Sequence, residues 1–362
     1  MEEIPWGRRR VADMSTSADT ASRRRLPRLS GQAGYVLAVL FVSAALMPLS
    51  RFVSPSLGSW STVSTILVVA SMLTLIGFGQ GLVILVGELD LSVPSTISLA
   101  GVLTTAWLGE AFSLVSFLEI LVIAAVIGLL NGVVITLLRV PSFIVTLGSQ
   151  LIIAGVALGY TKGTVAGTTP AFLDQVMSGR WLGIPIPIYL LVAMAVVGTV
   201  IQSHTSFGRR LYAVGSNRAT AHVAGVRVRA VVIGAFVVSS VCAALTGMLL
   251  VGYGGGATLG MGDAYFLSSI AVVVVGGSSI LGGRGSYLGT VAAAIFLTTI
   301  STLIQSLGIS QGWQTFIYGF LIVAVVAALN KEVYGRAAAA LRRPTRSPGP
   351  GRPAPQPSGA VR

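Results

Sequence analysis

Nine stretches of this chain, each 19 or more residues long, contain no Asp, Glu, Lys or Arg: 29–50, 52–87, 91–109, 120–138, 140–161, 181–208, 230–262, 264–283 and 285–330. A charge at the centre of a spanning helix costs about 2.5–3.5 kcal/mol on insertion scales, and about 20 residues cross roughly 30 Å of hydrocarbon. The pattern therefore predicts an all-α, polytopic transmembrane bundle. The last stretch is long enough for two crossings, and Gly308, Ser310 and Gly312 supply a turn in its middle. The expectation is about ten spans, at 33–50, 62–86, 92–109, 118–138, 142–160, 185–203, 230–252, 264–281, 287–306 and 312–329. Composition agrees. Charged residues make up 10% of the chain, against about 25% in soluble domains, too few to cover a surface facing water.

Positive charge orients the bundle. Counted over ten spans, only Arg51, Lys162 and Arg180 fall on the side opposite the N-terminus, which leaves 21 of the 24 Lys and Arg on the other. Lys/Arg enrichment marks the cytoplasmic side, so both termini are expected there. The net charge of +13 is then a topology signal and a surface for anionic membrane lipid, and no nucleic-acid partner is expected. Three regions follow: a basic tail over 1–32, a transmembrane domain over 33–330, and a Pro/Arg-rich tail over 331–362, both tails reading as disordered. The first apolar stretch begins too late and runs too long for a signal peptide.

Little chemistry is visible. Cys242 is the lone cysteine, so no intrachain disulfide forms. His204 and His222 have no ligand spacing around them, and no metal site is expected. The chain has no nucleophile elbow, zincin motif or Walker A. It is not read as an enzyme and carries no cofactor of its own. No predicted span has a central ionisable residue, which weighs against an ion-coupled transporter, although carbonyls alone can hold sodium.

Three segments stand out. In Gly87-Glu88-Leu89-Asp90-Leu91-Ser92-Val93-Pro94-Ser95, Asp90 or Ser92 is expected to cap the third span, with Pro94 in its first turn. The 204–229 loop is the largest on the N-terminal side. In it, Ser216 or Asn217 is expected to start a two-turn helix that Gly225 ends. So short a helix needs a surface to pack on, which marks a docking element. The third segment is Gly276-Gly277-Ser278-Ser279-Ile280-Leu281-Gly282-Gly283-Arg284-Gly285. It reads as a tight turn with close backbone packing; no Lys-Ser/Thr follows, so it is not a phosphate loop.

Taken together, these segments resemble the ribose-type permeases of bacterial ATP-binding-cassette importers. Asp90, Leu91, Ser92, Val93 and Ser95 match the first family motif, Gly-Gly-Ile-Asp-Leu-Ser-Val-Gly-Ser; Glu88 and Pro94 depart from it. Val140-Pro141-Ser142-Phe143-Ile144-Val145-Thr146-Leu147-Gly148 is similar to a second, with Asn131-Gly132 before it. Gly208, Tyr212, Ala213, Gly215 and Asn217 match the loop motif, with Ala221 and Gly225 at approximate spacing. Gly276, Gly277, Ser279, Gly282, Gly283, Arg284, Gly285 and Gly289 match the last. The resemblance covers roughly residues 35–330.

The resemblance implies a permease subunit in the bacterial inner membrane, paired with itself or a sister permease. Below it would sit an ATPase subunit that binds ATP and Mg, and above it an extracytoplasmic sugar-binding protein. The 208–226 loop would couple to the ATPase, and Asp90, Ser92, Asn131, Pro141, Phe143, Thr146, Gly276, Gly277, Gly283, Arg284 and Gly285 become gating candidates. The binding protein would dock on outer loops including 161–184 and 253–263. The substrate expected is a monosaccharide such as ribose, xylose or galactose. The alternatives are a nucleoside or a branched-chain amino acid within the same importer class, and a self-sufficient secondary transporter or channel outside it.

Overall fold

The computed structural model describes residues 31–51, 58–109 and 113–329. Residues 1–30 and 330–362, and with them nearly all of both predicted tails, lie outside the described residues. The described chain is helical almost throughout: α1 (Gly31–Ser50), α2 (Trp60–Leu85), α3 (Val93–Trp107), α4 (Leu114–Leu138), α5 (Ser142–Thr161), α6 (Ala171–Ser178), α7 (Ile186–His204), α8 (Ser206–Ser216), α9 (Arg218–Val223), α10 (Val228–Gly254), α11 (Tyr265–Val275), α12 (Tyr287–Ser306) and α13 (Gln311–Leu329). A two-residue antiparallel ladder, β1 (Arg180–Trp181) with β2 (Ile184–Pro185), joins α6 to α7.

Among the described residues, six helices are long and apolar enough to cross a membrane: α2, α4, α5, α7, α10 and α12. The chain is an all-α, polytopic membrane protein. Each stretch expected as a span holds one helix. The largest difference is α11, which ends at Val275, six residues short of the expected 281, where Gly276 and the positive φ of Gly277 turn the chain.

Helices α2 and α10 form the centre. α2 is buried along most of its length, including Met72, Ile76, Phe78 and Leu82. Its N-terminus is capped by Ser59, whose hydroxyl accepts from the Thr62 amide. The Tyr287 ring meets Phe78 edge-on at 5.0 Å, and its hydroxyl donates to the Thr74 carbonyl at 3.0 Å. That bond spares a buried phenol an unsatisfied group in lipid.

At the perimeter, α4, α5 and α7 keep large apolar side chains such as Leu130, Leu151 and Val196 exposed, as helices bathed in hydrocarbon do. α4 crosses α10 closely because of Gly128 and Gly132, a small-xxx-small pair: a Cβ on Gly132 would stand 2.7 Å from Ile233 Cα. Association in lipid depends on such packing, since burying apolar surface there yields no hydrophobic gain.

Candidate functional site

The connection between α2 and α3 does not stay at the bundle end. Gly87, at φ 78°, turns the chain inward. Asp90 ends up 1% exposed, against α10. One carboxylate oxygen accepts from the Ser92 amide at 3.0 Å and the Ser92 hydroxyl at 2.6 Å; the other accepts from the Ser239 hydroxyl at 2.8 Å. Asn131 donates to the Ser92 hydroxyl at 3.0 Å and accepts from Ser149. The network thus joins α4, α5 and α10 to the Asp90 segment.

This corrects the capping expectation. Ser92 is the N-cap residue of α3, but its side chain makes no capping bond, because its hydroxyl is committed to Asp90. A buried carboxylate in lipid needs every donor within reach, and that demand outweighs one helix cap. Pro94 does sit in the first turn.

The second motif clamps the first. The Leu89 amide donates to the Ser142 hydroxyl at 3.1 Å, and the Thr146 hydroxyl reaches the Leu89 carbonyl at 3.4 Å and the Ser142 carbonyl at 2.8 Å. Pro141 is the N-cap of α5. Phe143 is half exposed and outside this network.

The 204–229 loop is more ordered than its sequence implied. It folds as two helices, α8 and α9, of which only the second was expected. The Thr205 hydroxyl accepts from the Gly208 amide at 3.1 Å and caps α8, whose buried residues are Gly208, Leu211 and Val214. Asn217 caps α9 by accepting from the Thr220 amide at 3.0 Å, as expected, and Gly225 follows at φ 81°. Ala221 is the buried residue of α9, whereas Ala213 of α8 faces outward and its carbonyl accepts from the Asn217 amide.

The α8–α9 hairpin meets both other motifs. The Tyr212 hydroxyl donates to the Gly285 carbonyl at 2.8 Å and accepts from Gln202 at 3.0 Å. Its phenol is half buried, and desolvation pushes its pKa up, so it stays a donor. The Gly283 amide donates to the Leu85 carbonyl at 2.9 Å, and a Cβ on Gly215 would stand 2.5 Å from that amide nitrogen. Arg218 donates to the Val86 carbonyl at 3.0 Å and pairs with Glu88. The departure from the family motif at Glu88 is thus an anchor for the loop. The Arg284 carbonyl accepts from the Ser279 amide at 2.9 Å, closing the glycine turn, and a Cβ on Gly276 would stand 2.6 Å from the Thr290 nitrogen. Beside this junction opens a cavity of about 780 Å³ with Glu88, Arg139, Pro141, Arg218, His222 and Arg229 in its wall.

Ser142, Ser149, Gln202, Arg218 and Ser239 take part without having been singled out as site residues from sequence. Except for Arg218, their signal was a polar side chain on or beside an apolar span, where an unpaired group is costly. Gln80 on α2 carries the same signal, fully buried with neither amide atom bonded among the described residues. No group of three or more His, Cys, Asp or Glu able to hold a metal occurs among the described residues.

Comparison with known proteins places this geometry. Residues 62–326 match the family described as branched-chain amino acid transport system / permease component. The ribose import permease protein RbsC of Escherichia coli is 30% identical over 298 residues, 81% of this chain and 93% of that protein. RbsC of Haemophilus influenzae is 30% identical over 292 residues, 79% of this chain and 90% of that protein. The autoinducer 2 import system permease protein LsrC of Photorhabdus luminescens is 34% identical over 269 residues, 74% and 81% of the two chains. No solved structure matches. A bundle whose loop helices lock onto two interior turns, matched along most of its length by import permeases, belongs to the family of branched-chain amino acid transport system permease components.

Proposed function

We propose that the chain is the membrane-spanning permease subunit of a bacterial ATP-binding-cassette importer for a monosaccharide, resident in the cell membrane. The observation that carries this is the seating of α8–α9 on residues 85–88 and 283–285 at once. A partner ATPase, binding ATP and Mg, would push on the exposed face of this hairpin. The hairpin is bonded to the Leu85–Glu88 turn, and that turn leads within a few residues to Asp90 and the start of α3. Motion at the docking face therefore reaches the bundle interior through short, stiff backbone links rather than a solvated loop. Coupling of this kind is reciprocal in binding energy: substrate delivery from outside would alter the affinity for the ATPase state below.

The same reading supplies a second permease subunit, a copy or a sister chain, an extracytoplasmic binding protein, ten crossings and cytoplasmic termini. The relatives named for ribose and autoinducer 2 import support a small polyol-like cargo. The test is to extract the tagged chain from its native membrane in mild detergent and identify what accompanies it. The expected result is a co-purifying chain with a Walker A motif, lost on Gly215→Val. A chain that purifies alone and moves solute in ATP-free liposomes is a secondary transporter or channel, and the proposal fails.

A further inference from the structure

Two helices begin inside the bundle. Asp90, just before α3, bonds Ser239, which lies eleven residues, about 16 Å at 1.5 Å per residue, along α10. Tyr265, the first residue of α11, packs with Ile76, Val93, Ile97 and Ala243. The 255–264 connection, which takes in most of the expected 253–263 outer loop, therefore turns back into the protein. The Gly262 amide donates to the Ser98 hydroxyl at 3.0 Å, and a Cβ on Gly262 would overlap the Pro94 carbonyl. Irregular backbone at such depth is tolerated where it lines a cavity.

Such a cavity lies between α3, α5 and this segment. It holds about 220 Å³, with Ser95, Ser98, Ala154, Ala157, Gly260 and Asp263 in its wall, room for about seven waters at roughly 30 Å³ each. Ser95 and Ser98 are each 5% exposed. Ser98 donates to the Pro94 carbonyl at 3.0 Å, while the Ser95 hydroxyl makes no bond among the described residues. Asp263 is exposed at the mouth, and its carboxylate has no hydrogen-bond or ion-pair partner among the described residues. No Lys, Arg or His lines the space.

That wall fits a neutral polyol. A carboxylate accepts from neighbouring hydroxyls of a sugar, and the Ser95 hydroxyl can both give and take. Ser98, its proton held by the Pro94 carbonyl and one lone pair by the Gly262 amide, keeps one lone pair to accept. An amino-acid zwitterion could pair its ammonium with Asp263, but its carboxylate would meet no Lys, Arg or His in this wall.

We propose that this cavity is the station that holds the sugar on its way through the permease, with Ser95, Ser98 and Asp263 as its hydroxyl ligands. The proposal rests on the sugar-importer reading and names the site for it. The test uses the complete complex in liposomes, with D-ribose, D-xylose and D-galactose as labelled probes. Transport per ATP hydrolysed is measured for the best of the three and for its monodeoxy forms. Asp263→Asn is expected to lower sugar moved per ATP at least tenfold, while ATP hydrolysis stimulated by the binding protein stays within twofold. Ser95→Ala removes a hydroxyl with no structural bond and is expected to cost severalfold. For one monodeoxy form the penalty of each variant should disappear, which a merely structural role would not produce. Wild-type transport per ATP in both variants overturns the proposal and leaves the importer reading standing. Equal loss of transport and ATP hydrolysis, with no rescue by any deoxy sugar, also overturns it. A wild-type complex that moves leucine and none of the three sugars overturns the sugar reading itself, and this site with it.

Discussion

Gly215 lies so near Leu85 that a Cβ on it would overlap the Leu85 carbonyl oxygen, the same oxygen that accepts from the Gly283 amide at 2.9 Å. Two chain segments and one loop helix share a space too small for any side chain. Gly215→Val must push α8 off this seat, at a cost of about 1–3 kcal/mol or more. The expected outcome is normal membrane insertion with sugar transport uncoupled from ATP hydrolysis. Asn217→Pro should act alike, because it removes both the amide bond to Ala213 and the cap on Thr220. Normal transport per ATP in both variants would show that the hairpin does not couple.

The Asp90 carboxylate depends on its donors. Ser239→Ala removes one hydrogen bond to a charged group, worth about 1.5–3 kcal/mol, and leaves one carboxylate oxygen without a donor among the described residues. We expect a thermal midpoint several degrees lower in detergent. Asp90→Ala should lower it further, since Ser92 and Ser239 both lose their acceptor and the Ser92 hydroxyl that meets Asn131 is no longer held in place. A midpoint unchanged in both variants would mean that the network does not hold α3 in place.

The Glu88–Arg218 pair is a weaker contact. Half of the Arg218 side chain is exposed, so a double-mutant cycle should give a coupling of about 0–1 kcal/mol, falling as salt is raised. Arg218→Ala should nevertheless cost more than Glu88→Gln, because it also frees the Val86 carbonyl. Equal costs would place the whole effect in the ion pair.

Orientation can be read by labelling. In a Cys242→Ser background, cysteine at Ala219, exposed on α9, should resist an impermeant thiol reagent in intact cells. Cysteine at Ala171, exposed on α6, should react. The reverse pattern would invert the topology. The unaltered chain should not react from either side, as Cys242 is buried.

Much of this protein follows from order along the chain. Lipid penalises charge locally, so the charge-free stretches mark the helices without reference to any partner residue. Cap chemistry is local too, and Asn217 and Gly225 bound α9 as their types require. The convergence of three motifs was legible only as co-occurrence: nothing in spacing says that Tyr212 should bond Gly285, 73 residues away. Tertiary structure decided what local rules could not. Ser92 abandons its cap because a distant Ser239 and Asn131 complete a site for Asp90, and desolvating a carboxylate outweighs one amide. The 253–263 segment reads as an outer loop because it joins two predicted spans on the side opposite the termini. It turns inward because the Ser98 hydroxyl accepts from the Gly262 amide, which water would otherwise have met, and because Gly262 has no side chain to clash with the Pro94 backbone. Charge-free runs decide which segments enter the membrane; only the packed bundle decides which of the polar residues between them follow.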